Sequence, residues 1–126
     1  MRRVTPPARH AGDLQNFKAA FFKALAHPLR IRILEVLVRS NRTVQELQHA
    51  LGLDQPVVSQ QLRVLRTSHI IVGRKEGTSV RYAMVDPLVA DLLAIARRIF
   101  NNQLTGSQHL LRQLREEGGS RALHGL

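Results

Sequence analysis

The stretch TVQELQHALGLDQPVVSQQLRVLRT (43–67) reads as two short helices joined by a tight turn. Thr43 and Glu46 have the spacing of a capping box, in which an N-cap hydroxyl and a carboxylate three residues later satisfy each other's backbone N–H groups. Val44, Leu47 and Leu51 give the first of these helices an inward side. Gly52 can end it in the left-handed conformation, Asp54 can cap the next helix, and Pro56 suits that helix's first turn. The second helix carries an apolar stripe of Val58, Leu62 and Leu65 at spacings of four and three. Its other side shows Gln55, Ser59, Gln60, Arg63 and Arg66, all polar or cationic.

The flanking segments complete a recognisable order. Leu14, Phe17, Phe21, Phe22 and Leu25 recur at helical spacing from near Asp13 to the break at Pro28. From Pro28, the run Leu29, Ile31, Ile33, Leu34, Val36, Leu37 and Val38 is apolar on too many sides for a surface helix, which predicts a buried central one. After the helix pair, IIVGRKEGTSVRYAM (70–84) changes to a period of two, with Val80, Tyr82 and Met84 alternating against Ser79 and Arg81. That is a β-hairpin turning at Glu76-Gly77. Asp86 can cap a long helix through Leu88, Leu92, Ile95, Ile99 and Leu104, which Gly106 is expected to interrupt before Leu110, Leu111 and Leu114. The fold class is therefore mainly α with a small β-hairpin wing: a winged helix-turn-helix of four helices, two strands and a fifth helix. Residues 1–12, with Arg2, Arg3, Arg9, Pro6 and Pro7, read as a flexible basic arm, 13–117 as the folded DNA-binding and dimerisation domain, and 118–126 as a flexible tail.

Charge narrows the partners. Lys and Arg total 19 against 9 acids, a formal net charge of +10 over 126 residues, so a polyanion is the natural partner. Between Gln55 and Tyr82 the cations are Arg63, Arg66, Arg74, Lys75 and Arg81, and the sole acid is Glu76. A helix fits the major groove, which is about 12 Å wide, and its exposed side must offer hydrogen-bonding groups to base edges. An arginine-bearing polar face is in most proteins only solvated surface. Here it coincides with a helix pair, a basic hairpin and a basic composition, and together these point to double-stranded DNA. The expected contact set is Thr43, Gln55, Ser59, Gln60, Arg63, Arg66, Arg74, Lys75 and Arg81.

KALAHPLRIRILEVL (23–37) and GLDQPVVSQQLRVLRTSHIIVGRKEGTSVRYAM (52–84) closely resemble the arsenical-repressor (ArsR) family, and the resemblance spans roughly residues 14–105. It implies a homodimeric repressor on a palindromic operator, with Gln55, Ser59, Gln60 and Arg63 at the bases and Arg74, Lys75 and Arg81 in a wing on the flanking backbone. The sequence departs from the commoner family pattern at Asp54, where serine is frequent, and at Gln61, where histidine is frequent. Leu14, Phe17 and Phe21 near one end and Leu92, Ile95 and Ile99 near the other are more apolar surface than a small winged core needs, so they are the expected dimerisation residues.

Other chemistries find little footing. Without cysteine there is no disulfide, thiolate metal site or cysteine nucleophile. Against the family's metal sensors, Gln48 and Ala50 stand where a cysteine pair would fall, and DPLVADLLAIARRIF (86–100) has Asp86 and Asp91 but no histidine. His10, His109 and His124 lie near the ends, where the arms of a dimer could converge on a metal, although scattered terminal histidines are more often solvent-exposed bystanders; His27 suits a helix start, and His49 and His69 have no partner at ligand spacing. No metal or cofactor is expected, and the effector, if one exists, is unidentified. No catalytic constellation appears at a recognisable spacing, so the chain is not expected to be an enzyme. No apolar run approaches the roughly 20 residues that span a bilayer, and no apolar stretch follows the basic start, so a cytoplasmic protein that associates with the nucleoid through DNA is expected. The rival readings are a sequence-tolerant DNA-binding or chromosome-organising module and a winged-helix interaction scaffold.

Overall fold

The computed structural model describes residues 7–123, with side chains described over 12–117. Its elements run α1 (Pro7–Leu25), α2 (Pro28–Arg39), β1 (Arg42–Thr43), α3 (Val44–Leu51), α4 (Gln55–Thr67), β2 (Ile71–Glu76), β3 (Ser79–Met84) and α5 (Leu88–Leu123). The chain divides after Val89 into two compact units.

In the first unit the core is Ile33, Leu34 and Leu37 of α2, Leu47 and Leu51 of α3, Val58, Leu62 and Leu65 of α4, and Ile70, Ile71 and Tyr82 at the sheet, all buried. Helix α2 is buried on one side only, since Ile31 and Val38 are exposed. It is thus amphipathic, where its composition alone suggested burial all round. His27 starts it, its Nδ1 accepting the Leu29 N–H at 3.1 Å. Two arginines of α2 bind neighbouring helices through carbonyls that a helix C-terminus leaves unpaired. Arg30 donates to the Ala24 carbonyl of α1 at 2.6 Å and to Gln61 Oε1 of α4 at 2.9 Å, and Arg32 donates to the Leu51 carbonyl of α3 at 3.1 Å.

Helix α3 has the capping box read from its sequence. The Glu46 N–H donates to Thr43 Oγ1 at 3.2 Å, and the Thr43 N–H donates to Glu46 Oε1 at 3.0 Å. Gly52 ends the helix at φ 67°, as a left-handed cap requires. Asp54 occupies the N-cap of α4 but makes no side-chain cap bond. Pro56 is the second residue of that helix and has no N–H to offer, which removes one of the two donors an N-cap side chain can reach. At its other end α4 stops in a Schellman arrangement, with the Ile70 N–H on the Leu65 carbonyl and the His69 N–H on the Arg66 carbonyl, both at 3.0 Å. This puts His69 at φ 61°, a conformation that disfavours any side chain.

The sheet has the order β1-β3-β2, all antiparallel. The hairpin closes on Glu76 opposite Ser79, leaving Gly77 and Thr78 as a two-residue loop one residue beyond the Glu76-Gly77 turn read from the sequence, because Glu76 still pairs in the ladder. Gly77 takes the positive φ (64°) that a type II′ turn asks of its first position. Strand β1 was not visible in the sequence: it is two residues, Arg42 opposite Tyr82 and Thr43 opposite Arg81. Gly73 faces Tyr82 across the ladder.

Helix α1 begins at Pro7, inside the segment read as an arm; a proline at the first helical position followed by Ala-Arg-His-Ala needs no apolar period to be helical. Helix α5 starts with the Leu88 N–H on Asp86 Oδ1 at 2.9 Å. In the second unit it runs through Gly106, inside a helical stretch that reaches Leu123. One interior glycine costs only about 1 kcal/mol relative to alanine, too little to break a helix flanked by Leu104, Leu110 and Leu111. Residues 118–123, read from the sequence as the start of a flexible tail, continue the backbone of α5, and the arm and tail readings at residues 1–6 and 124–126 lie outside the described residues.

Two substitutions should move stability in opposite directions. A Cβ at Gly73 would stand 2.8 Å from Val80 Cγ1 and 3.0 Å from Tyr82 Cε1, so Gly73→Ala should destabilise by roughly 1–3 kcal/mol in denaturant unfolding. His69→Gly relieves a left-handed side chain while loosening the unfolded chain, and should stabilise by roughly 0.5–1 kcal/mol net.

Candidate nucleic-acid interface

Helix α4 presents its polar side because its apolar side is fixed. With Val58, Leu62 and Leu65 fully buried and about 100° of rotation per residue, Gln60 and Arg63 stand opposite the core. Gln55, Ser59 and Arg66 form one flank, and Val57, Gln61 and Val64 the other. Gln60, Arg63 and Arg66 are exposed, and their side chains make no hydrogen bond or ion pair among the described residues. Gln55 Nε2 donates to Ser59 Oγ at 2.7 Å, so these two side chains hold one another across a helical turn. Thr67 shares the outward side in the last turn, a position that the rotational argument finds but that the sequence reading passed over. Gln61 faces Arg30 rather than solvent alone.

In the wing, strand alternation sets Arg74 and Lys75 on opposite sides of the ribbon. Both are exposed and without an ion-pair partner among the described residues. Arg81, directly across from Arg74, differs. Its Nε donates to both Glu76 carboxylate oxygens at 3.0 and 3.1 Å, its Nη2 to Glu76 Oε1 at 2.9 Å, and its Nη1 to Glu46 Oε1 and the Asn41 carbonyl, each at 3.2 Å. The Glu46 carboxyl is held below its ordinary range, first by the Thr43 N–H and then by Arg81, against some desolvation. The hydrogen bond from Arg81 does the same for Glu76 and raises Arg81 in return. Thr43 is also committed, since it is buried and its hydroxyl caps α3. Arg42, not anticipated, donates to Ser40 Oγ at 3.0 Å at the mouth of an open groove of about 600 Å³ bordered by Gln45, Glu46, His49 and Arg81.

The remaining anticipated residues lie on helix faces. Leu14 and Phe17 of α1 are exposed, Phe17 at 75%, with Phe21 on the same side half-buried and edge-on to Phe22 at 5.6 Å between ring centroids. On α5, Ile95 and Ile99 are exposed and Leu92 is half-buried along one stripe. Among the described residues no three His, Asp or Glu side chains come together as a metal would need, and no helix is long and apolar enough to cross a membrane.

Comparison with known proteins agrees with this arrangement. The family model described as bacterial regulatory protein, arsR family, matches residues 27–71, from the N-cap of α2 to the start of β2. Over 108 residues the chain is 43% identical to Rv0081, an uncharacterized HTH-type transcriptional regulator of Mycobacterium tuberculosis, covering 85% of this chain and 95% of that relative. The crystal structure of Rv0081 resembles this one with a TM-score of 0.70 at 41% identity, covering 82% of this chain and 98% of the other. A homodimeric winged helix-turn-helix DNA-binding domain from Mycobacterium bovis, a possible ArsR-family transcriptional regulator, gives a TM-score of 0.69 at 28% identity, covering 79% of this chain and 91% of that one. The biofilm growth-associated repressor of Xylella fastidiosa is 34% identical over 106 residues, covering 82% of this chain and 93% of its own. Folded as a winged helix-turn-helix and similar to such regulators at these levels over most of its length, the chain belongs to the ArsR family of bacterial regulatory proteins.

Proposed function

We propose that this chain is a homodimeric transcriptional repressor that reads an inverted-repeat operator, with α4 in the major groove and the hairpin on the flanking backbone. The observation that carries the reading is the outward side of α4: Gln60 and Arg63 are exposed, opposite a fully buried stripe, with no internal partner to release before they meet base edges. Glutamine pairs bidentately with adenine and arginine with guanine in that groove. Gln55, Ser59 and Arg66 stand beside them, and Arg74 and Lys75 supply phosphate contacts.

Dimerisation is supported by the exposed stripes on α1 and α5, whose Leu14, Phe17, Ile95 and Ile99 leave apolar surface in water. Phe21 and Leu92 continue the same faces. The Mycobacterium bovis relative is a homodimer, and two copies related by a two-fold axis match an operator with the same symmetry. Such a protein works in the cytoplasm, at the nucleoid when bound, and represses by occupying a promoter. The reading involves no catalysis.

Binding of the purified chain to a duplex selected from a random library, compared with unselected duplex at near-physiological salt, tests this reading. A preference of roughly 10³-fold or more is expected, and equal binding to both would replace the repressor with a sequence-tolerant DNA-binding module. On the selected site Gln60→Ala should cost about 1–3 kcal/mol and relax preference at particular base pairs, whereas an equal loss on every sequence would remove Gln60 from base reading.

A further inference from the structure

The guanidinium of Arg81 occupies the centre of the wing, in one row with Thr43 of β1 and Arg74 of β2. Like charges directly opposite on a sheet repel, so the Arg74–Arg81 pair alone would weaken the hairpin. Glu76 and Glu46 remove that repulsion. Every guanidinium nitrogen of Arg81 is already donating, to Glu76 at the last residue of β2 and to Glu46 and the Asn41 carbonyl at the root of α3. Glu46 Oε1 receives both Arg81 and the Thr43 N–H, so the contact that caps α3 is also the contact that anchors the wing. Four of the five N–H groups of Arg81 are engaged in this way, so a phosphate finds one free Nη2 N–H and could take the guanidinium bidentately only by displacing a carboxylate.

Resting on the DNA-binding reading above, we infer that Arg81 is a positioning residue of the wing rather than a phosphate ligand. It ties the hairpin to the N-terminal end of α3 and thereby sets where Arg74 and Lys75 meet the DNA backbone. Ile71 and Tyr82 anchor the base of the hairpin in the core, but beyond them the ribbon is two-stranded and β1 adds just two residues of pairing, so this tie holds the outer part on which Arg74 and Lys75 stand. The wing's uncompensated positive charge is carried by Arg74 and Lys75, which have no partner of their own among the described residues.

The test compares wild type, R81A, R74A/K75A and the triple variant for affinity to one selected duplex over a range of salt, with thermal unfolding recorded for each. R81A should weaken binding by roughly three- to tenfold in the wild-type background, because misdirected wing cations lose phosphate contacts. In the R74A/K75A background the same change should alter affinity by less than about twofold and leave the salt slope unchanged. A further fall of about one in the slope there would make Arg81 a phosphate ligand itself and overturn the inference. An equal loss of affinity in both backgrounds would also overturn it, since Arg81 would then act through something other than Arg74 and Lys75.

E46Q/E76Q keeps the cation and the cap spacing of α3, and decides the matter should R81A not fold. Removing two negative charges beside DNA would by simple electrostatics tighten binding. Loss of positioning predicts roughly two- to tenfold weaker binding with no steeper slope. Tighter binding or no change overturns the inference. A wild-type chain that prefers no duplex sequence would instead count against the regulator reading, before any variant is compared.

Discussion

The burial of Val58, Leu62 and Leu65 sets the phase of α4, and the interface follows from it. A helix has one rotational freedom about its axis, and three fully buried aliphatic side chains at spacings of four and three remove it. Turning the helix far enough to hide Gln60 or Arg63 would expose two or three of those side chains, at roughly 1.5–3 kcal/mol each, and would bury an amide or a guanidinium with no partner. The bond from Arg30 to Gln61 fixes the same phase from the side, and the same arginine holds the end of α1. Hydrophobic packing thus decides which polar groups face a partner.

Much of this was legible in the sequence because the signals are local. The capping box needs only Thr43 and Glu46, the left-handed end of α3 needs Gly52, and the stripe of α4 declares itself within two turns. The hairpin is visible as a change of period, and its turn at Gly77 follows from the one residue there that tolerates positive φ. What escaped depends on partners distant in sequence. Strand β1 is too short to have a period and exists because β3 offers it a ladder. Two partners of Arg81, Glu46 and Asn41, lie 35 and 40 residues away, and the third, Glu76, enters a count of charges between Gln55 and Tyr82 without being paired to any one cation, so the count treats Arg81 as free when it is not. Asp54 shows the opposite error: a good cap residue read in isolation, with Pro56 removing a donor it would have used.

The electrostatics of the interface depend on which cations are already paired. Between Gln55 and Tyr82, Arg81 is the one cation with an ion-pair partner among the described residues, leaving Arg63, Arg66, Arg74 and Lys75 available to phosphates or bases. The two carboxylates that pair with Arg81 stand at the end of β2 and in the first turn of α3, and on the inference drawn above these acids serve the geometry of the wing. The apolar stripes of α1 and α5 are a separate requirement, which the proposed homodimer would satisfy with a second copy of the chain.

Methylation interference on the selected duplex tests the account most directly, because guanine N7 lies in the major groove and N3 of adenine in the minor. The account predicts that N7 methylation blocks binding at two symmetric clusters about one helical turn, roughly 10 base pairs, apart, with Gln60→Ala or Arg63→Ala altering the pattern inside each cluster. Interference confined to the minor groove, or a single cluster without symmetry, would contradict a dimer that reads the major groove through α4.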